Sequence, residues 1–240
     1  MTSTQTGTDG EQKARLADIA EETTGFGATE FATARDLLVR PRAVLDAYLA
    51  HGPTGGRRYA RPLGFYVALC GILMFYLFLT GGLKGLIEQQ PAAALDGWIA
   101  RSGKSREAFI SDADGWMSLV SVPILSLFYA AAAAPLLKWW SGFDWRRSIR
   151  ATFALMCAWT VPIVPLGPLP MMKGFEIVGN LLMWAALVAA FLRMGRGLWW
   201  QRWPGGLAKA LLLCLAMVVG AMVGMIPVFR IGLLGATFGN

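Results

Sequence analysis

From Arg35 to Leu79 the chain reads RDLLVRPRAVLDAYLAHGPTGGRRYARPLGFYVALCGILMFYLFL, and three parts of it carry the argument. Arg35 to Ala50 is amphipathic. Pro41 suits the first turn of a helix, where its missing N–H is not needed. After it Val44, Leu45, Tyr48 and Leu49 form one apolar stripe, with Arg40, Arg42 and Asp46 off it. Such a helix lies in a membrane interface, packs on the ends of its own bundle, or does both. Gly52 to Pro62 is a turn-rich basic segment containing Arg57, Arg58 and Arg61. Leu63 to Leu79 is apolar and opens a membrane span.

Downstream the crossing is repeated. The 240 residues are 55% hydrophobic, with mean hydropathy +0.49, and the charges are segregated into the first 61 residues and a few loops. A helix crosses the hydrocarbon core in roughly 20 residues, and the alternating period of a β-barrel is absent. The reading is an all-α polytopic membrane bundle of about five transmembrane helices, over 62–82, 116–137, 149–170, 175–193 and 207–228, with a cytoplasmic N-terminal amphipathic helix. Residues 1–34 form a polar, partly disordered tail with a weak helix over Glu11 to Glu22. Residues 35–61 form the amphipathic and basic segment, and 62–240 the transmembrane domain. No cleavable signal precedes the first span, because Thr2 to Thr24 is polar.

Net charge of +7 fits membrane topology better than nucleic acid binding, for which no basic soluble domain is present. With the N-terminus inside the cell, 16 of the 22 lysines and arginines fall on the inner side and 6 on the outer. The positive-inside rule therefore predicts a cytoplasmic N-terminus, and the expected location is the cell inner membrane. Arg57, Arg58 and Arg61 before the first span, and Arg146 and Arg147 before the third, are the candidate contacts to anionic lipid headgroups.

The other features have two readings each. Thr160, Pro162, Pro165 and Pro168, with Pro170, should interrupt or end the third span, as each proline removes a donor and crowds the preceding turn. The segment is then a hinge or cavity wall, and a lipid or small-molecule transporter becomes the alternative function; or it is a helix end with a tight return. Ala216, Gly220 and Gly224 form a small-residue face, for packing within the chain or against a second copy. Asp112 and Asp114 lack the later glutamate of a calcium loop and read as a loop and helix-start signal. Phe229 to Asn240 reads as a short tail. Trp139, Trp140, Trp199 and Trp200 fall on one side as an aromatic belt.

No hydrolase, zinc-protease or nucleotide-binding motif occurs, and the span interiors hold almost no ionisable residue. Cys70, Cys157 and Cys214 lack metal-ligand spacing, and His51 suits a helix end. No cofactor, no metal and no enzymatic activity are expected. The expected partners are the bilayer and its anionic lipids, with a second copy or another membrane protein possible on the small-residue face.

Thr33-x-Arg35-x-Leu37-Leu38-x-x-Pro41, followed by Gly56-Arg57-Arg58-Tyr59-x-x-Pro62-Leu63, resembles an uncharacterised bacterial membrane family carrying a domain of unknown function. The likeness covers roughly residues 30–80. Members often have an N-terminal zinc ribbon; here no cysteine pair precedes the motif, and Pro53 to Gly55 lengthen the turn. The second half, with Thr160-Val161-Pro162 and a span ending near Gly195, is more weakly similar to the five-span Yip family of vesicle-traffic proteins. That resemblance implies five spans and a cytosolic N-terminus, without a Rab-binding function.

Overall fold

The computed structural model describes residues 27–79, 82–167, 169 and 174–239. The helix expected over Glu11 to Glu22, Pro168 and Pro170 lie outside them. The described residues form helices and no β-strand: α1 (Ala28–Val39), α2 (Pro41–His51), α3 (Pro62–Leu79), α4 (Lys84–Glu88), α5 (Ala92–Ser102), α6 (Arg106–Ser141), α7 (Trp145–Leu166), α8 (Glu176–Gly195) and α9 (Trp203–Phe238). Five of these, α3 and α6 to α9, are long and apolar enough to cross a membrane. The chain is a multi-pass membrane protein built as an all-α bundle.

The third span, α7, is the centre. Of its most apolar window 61% is buried in the protein, against 17% or 28% for the other spans. Its buried face carries Ala151, Ala154 and Ala158, which let neighbouring helices come close. The helix runs on through Pro162 and Pro165 and ends at Leu166. Of the two readings of this segment, no interruption falls at Thr160, since Pro162 and Pro165 both sit inside helical backbone, while the end at Leu166 agrees with a helix end. Transmembrane helices tolerate this where neighbours and local adjustments satisfy the freed carbonyls. The small polar side chains of the spans are largely tied to the preceding turn. Thr152 donates to the Ser148 carbonyl at 2.8 Å and Ser126 to that of Val122 at 2.6 Å.

Helices α6 and α9 each have 36 residues. At about 1.5 Å per residue each is on the order of 54 Å long, well beyond a hydrocarbon core of roughly 30 Å. The expected tail after residue 228 is therefore helix. Val228 and Ala236 continue the apolar period and pack in a second core with Ile87, Leu95, Phe109, Ala113 and Met117. Asp112 and Asp114 lie within α6, not in a loop. Its N-cap is Ser105, whose Oγ accepts from the Ala108 N–H at 3.3 Å. Asp112 accepts from Lys104 at 2.7 Å, and Lys104 also donates to the carbonyls of Ala236 and Gly239 at the end of α9.

The small-residue face of α9 lies against α6. A Cβ at Gly220 would stand 3.0 Å from the Phe128 carbonyl oxygen, and one at Gly224 would meet Phe128 and Leu125 at 3.0–3.1 Å. Internal packing thus takes up this face.

Two adjacent glycines at the start of α9 give a matched test. Gly205 has open space where a Cβ would go, whereas a Cβ at Gly206 would fall 2.7 Å from the Trp200 indole. Gly205→Ala should hold or raise the thermal midpoint in detergent, by up to about 1 kcal/mol of helix propensity. Gly206→Ala should lower it, by roughly 1–3 kcal/mol of overpacking. Equal shifts would show that Trp200 does not press on Gly206.

Candidate functional site

The N-terminal helices close one end of the bundle, and their junction is where its polar groups concentrate. The apolar stripe of α2 faces inward: Val44, Leu45 and Tyr48 are buried in the main core. Packing on its own bundle is observed for this helix, and a place in the membrane interface is compatible with it. The segment entering the first span is then fixed from both sides. The Thr33 hydroxyl accepts the Ala60 N–H at 2.9 Å, and the Tyr48 hydroxyl donates to the Ala60 carbonyl at 2.6 Å.

Asp36 is the hub. Its side chain is 4% exposed, and its carboxylate accepts from Arg40 at 2.9 Å, from Arg35 at 3.0 and 3.1 Å, and from the Tyr59 hydroxyl at 3.0 Å. Arg58 stands 3.9 Å away and lies over the Tyr59 ring. Burial pushes the Asp36 carboxyl up, but hydrogen bonds from Arg40, Tyr59 and Arg35 outweigh it and hold the group below the usual carboxylate value. Burial, followed by the hydrogen bond to Asp36, pushes the Tyr59 phenol up. Three residues that carry the first resemblance, Thr33, Arg35 and Tyr59, thus meet at or beside this hub. Asp36 occupies one of that motif's unspecified positions and was missed. Its signal was present: Thr33, Asp36, Leu37 and Arg40 recur at helical spacing, so a carboxylate shares the stripe that faces inward.

Arginines stitch this cap to the far side of the bundle. Arg42 Nη1 donates to the carbonyls of Met194 and Arg196 at 2.9 and 2.8 Å, at the C-terminal end of α8. Arg193, from that same end, donates to the Val39 carbonyl at 2.8 Å. Arg150 donates to the Tyr48 carbonyl at 3.0 Å. Cations at helix C-termini answer the unpaired carbonyls and the negative end of the dipole.

Between the α1–α2 junction and α8 lies a groove of about 920 Å³. Its rim carries Arg40, Arg42, Arg193 and Arg196, with Trp200 and Trp203 beside them. Its floor is apolar and follows α8 through Ala185, Val188, Ala189 and Leu192. None of its lining residues is acidic. Asp36 pairs with Arg40 and Asp46 with Arg42, while Arg193 and Arg196 have no carboxylate partner among the described residues.

The residues expected at headgroups sit at this same end. Arg57, Arg58 and Arg61 are exposed on the turn before α3, and Arg146 and Arg147 are exposed in the first turn of α7. They do not line the groove; Arg40, Arg42, Arg193 and Arg196 do. Arg57 holds φ at 66°, in the left-handed region that bulky side chains rarely enter. Thr160 is buried in α7, and Pro162 and Pro165 lie on the same helix away from this end. The tryptophan belt is partly internal: Trp199 stacks on Phe191 at 5.3 Å, and Lys209 lies over Trp140.

No family model, curated protein or solved structure matches this chain.

Proposed function

We propose that this protein is a non-enzymatic inner-membrane protein, with a cytoplasmic N-terminus, that acts by contacting anionic lipid through its basic end. One observation carries the reading. Among the described residues the end bearing α1 and α2 holds 14 lysines and arginines against 4 acidic residues, and the opposite end holds 5 basic residues. The positive-inside rule turns that imbalance into an orientation.

The positions of the exposed arginines support the same reading. Arg146 and Arg147 occupy the first turn of α7, where the helix dipole opposes a positive charge by about 0.3–1 kcal/mol. Their placement is a small cost to the helix and is explained by an anionic surface outside it. The Asp144 side chain caps the α7 N-terminus by accepting the Arg147 N–H at 2.7 Å.

Changing Arg57, Arg58 and Arg61 together to Gln tests the reading. Each basic residue near an anionic surface contributes about 1 kcal/mol, so three set a ceiling of roughly 3 kcal/mol. Screening in salt reduces this. Native mass spectrometry of protein extracted with its lipid should show fewer anionic lipids on the triple variant, with zwitterionic lipids unchanged. An unaltered anionic complement would remove the proposal.

A further inference from the structure

We infer that the groove between the α1–α2 junction and α8 binds one anionic phospholipid, with its phosphate among the arginines of the rim and an acyl chain along the floor. The inference rests on the reading of the basic end as the lipid-contacting one, and it adds a discrete site to that reading.

Charge complementarity comes first. Four arginines line a recess with no acidic lining, and the two nearby carboxylates are already engaged with Arg40 and Arg42. Arg193 and Arg196 leave an uncompensated positive pair. Arg193 spends one N–H on the Val39 carbonyl and keeps others to offer. A guanidinium fork matches two phosphate oxygens, which favours phosphate over a single point anion.

Trp200 forms part of the groove wall and is 6% exposed.

Shape then selects a lipid over a free anion. Ala185 and Ala189 lie four residues apart on the exposed face of α8 and make a recessed apolar strip, with Val188 and Leu192 at its edge. From Ala185 to Arg193 the helix rises about 12 Å. The strip therefore leads from the arginines into the span, the path a chain takes below its headgroup. Trp203, 61% exposed at the rim, suits the interface level.

The test uses the full-length protein in detergent, loaded with phosphatidylglycerol or phosphatidylcholine and read by native mass spectrometry. One phosphatidylglycerol per chain should survive activation that strips phosphatidylcholine. Arg193→Gln with Arg196→Gln should weaken its retention at least tenfold. Arg196→Gln alone, which touches no ion pair of the cap, should weaken it several-fold without changing the thermal midpoint. Ala185→Leu with Ala189→Leu, which fills the strip and leaves every charge, should also lose the lipid. Arg146→Gln with Arg147→Gln should keep it. Soluble glycerol phosphate should not compete.

Retention of the bound lipid by the Arg193/Arg196 and Ala185/Ala189 variants would overturn the site while leaving an anionic preference of the whole basic end intact. Competition by glycerol phosphate would overturn the lipid assignment, and a lipid-free dimer would overturn it in favour of a second copy. Absence of any anionic preference in the wild-type chain would instead remove the broader reading, and the site with it.

Discussion

Replacing Gly220 and Gly224 together with leucine should separate the two longest helices and abolish a single cooperative unfolding transition. The obstacle at Gly220 is backbone: the Phe128 carbonyl oxygen would stand 3.0 Å from the new Cβ. At Gly224 the Phe128 ring and Leu125 leave no room for the remaining leucine carbons. Overpacking costs about 1–3 kcal/mol per site, so the pair should cost roughly 2–6 kcal/mol. In a membrane no hydrophobic drive returns separated helices to contact, since lipid solvates them as well as a neighbour does. The measurement is thermal unfolding in a mild detergent, with Gly64→Leu as the control because that glycine is exposed with open space around it. A double variant that melts with the control would show the seam to be loose.

The second large effect is expected at Asp36. Asp36→Ala removes an acceptor shared by Arg40, Arg35 and Tyr59, and leaves a buried phenol without its partner. Breaking a fully buried pair costs about 3–5 kcal/mol. Here the arginine side chains are 48% and 68% exposed and regain water, so a loss of about 2–3 kcal/mol is expected. Asp36→Asn keeps the shape and one acceptor and should lose less. The pH dependence has a definite sign. The folded carboxyl lies below its ordinary value, so its stabilisation is fully present above the unfolded pKa of about 3.9 and is lost as pH falls through the folded value. Hydrogen exchange over α1 should therefore quicken below pH about 4 in the wild type, and change little with pH in Asp36→Asn. The same acid response in both proteins would assign it to another group.

The spans were legible because each presents an apolar run of the required length, and the start of α3 at Pro62 falls where the turn chemistry puts it. Hydropathy marks only the part of a helix that meets lipid. It missed the first ten residues of α6 and the last ten of α9, where Phe109, Ala113 and Ala236 are buried in a shared core instead. Asp112 and Asp114 read as loop because two nearby carboxylates usually are, yet Lys104 and the Leu83 N–H hold them on the helix. Arg57, Arg58, Arg61, Arg146 and Arg147 were visible as clusters in the sequence. The groove arginines were not, because Arg40 and Arg42 are about 150 residues from Arg193 and Arg196 and only the docking of α1 and α2 brings them together.

The pairing of α6 with α9 also bears on how the protein is made. The partners are the second and the fifth of the apolar helices among the described residues, separated by two others along the chain. A ribosome delivers α6 to the bilayer long before its glycine-faced counterpart exists. Until α9 emerges, α6 waits beside lipid with Phe128 and Leu125 uncovered, and its extension beyond the bilayer has no α9 to lean on. This seam therefore closes only after α7, α8 and α9 have all followed α6. A chain cut short ahead of Val228 lacks the α9 side of the second core, Val228 and Ala236, which makes such a product a natural substrate for membrane quality control.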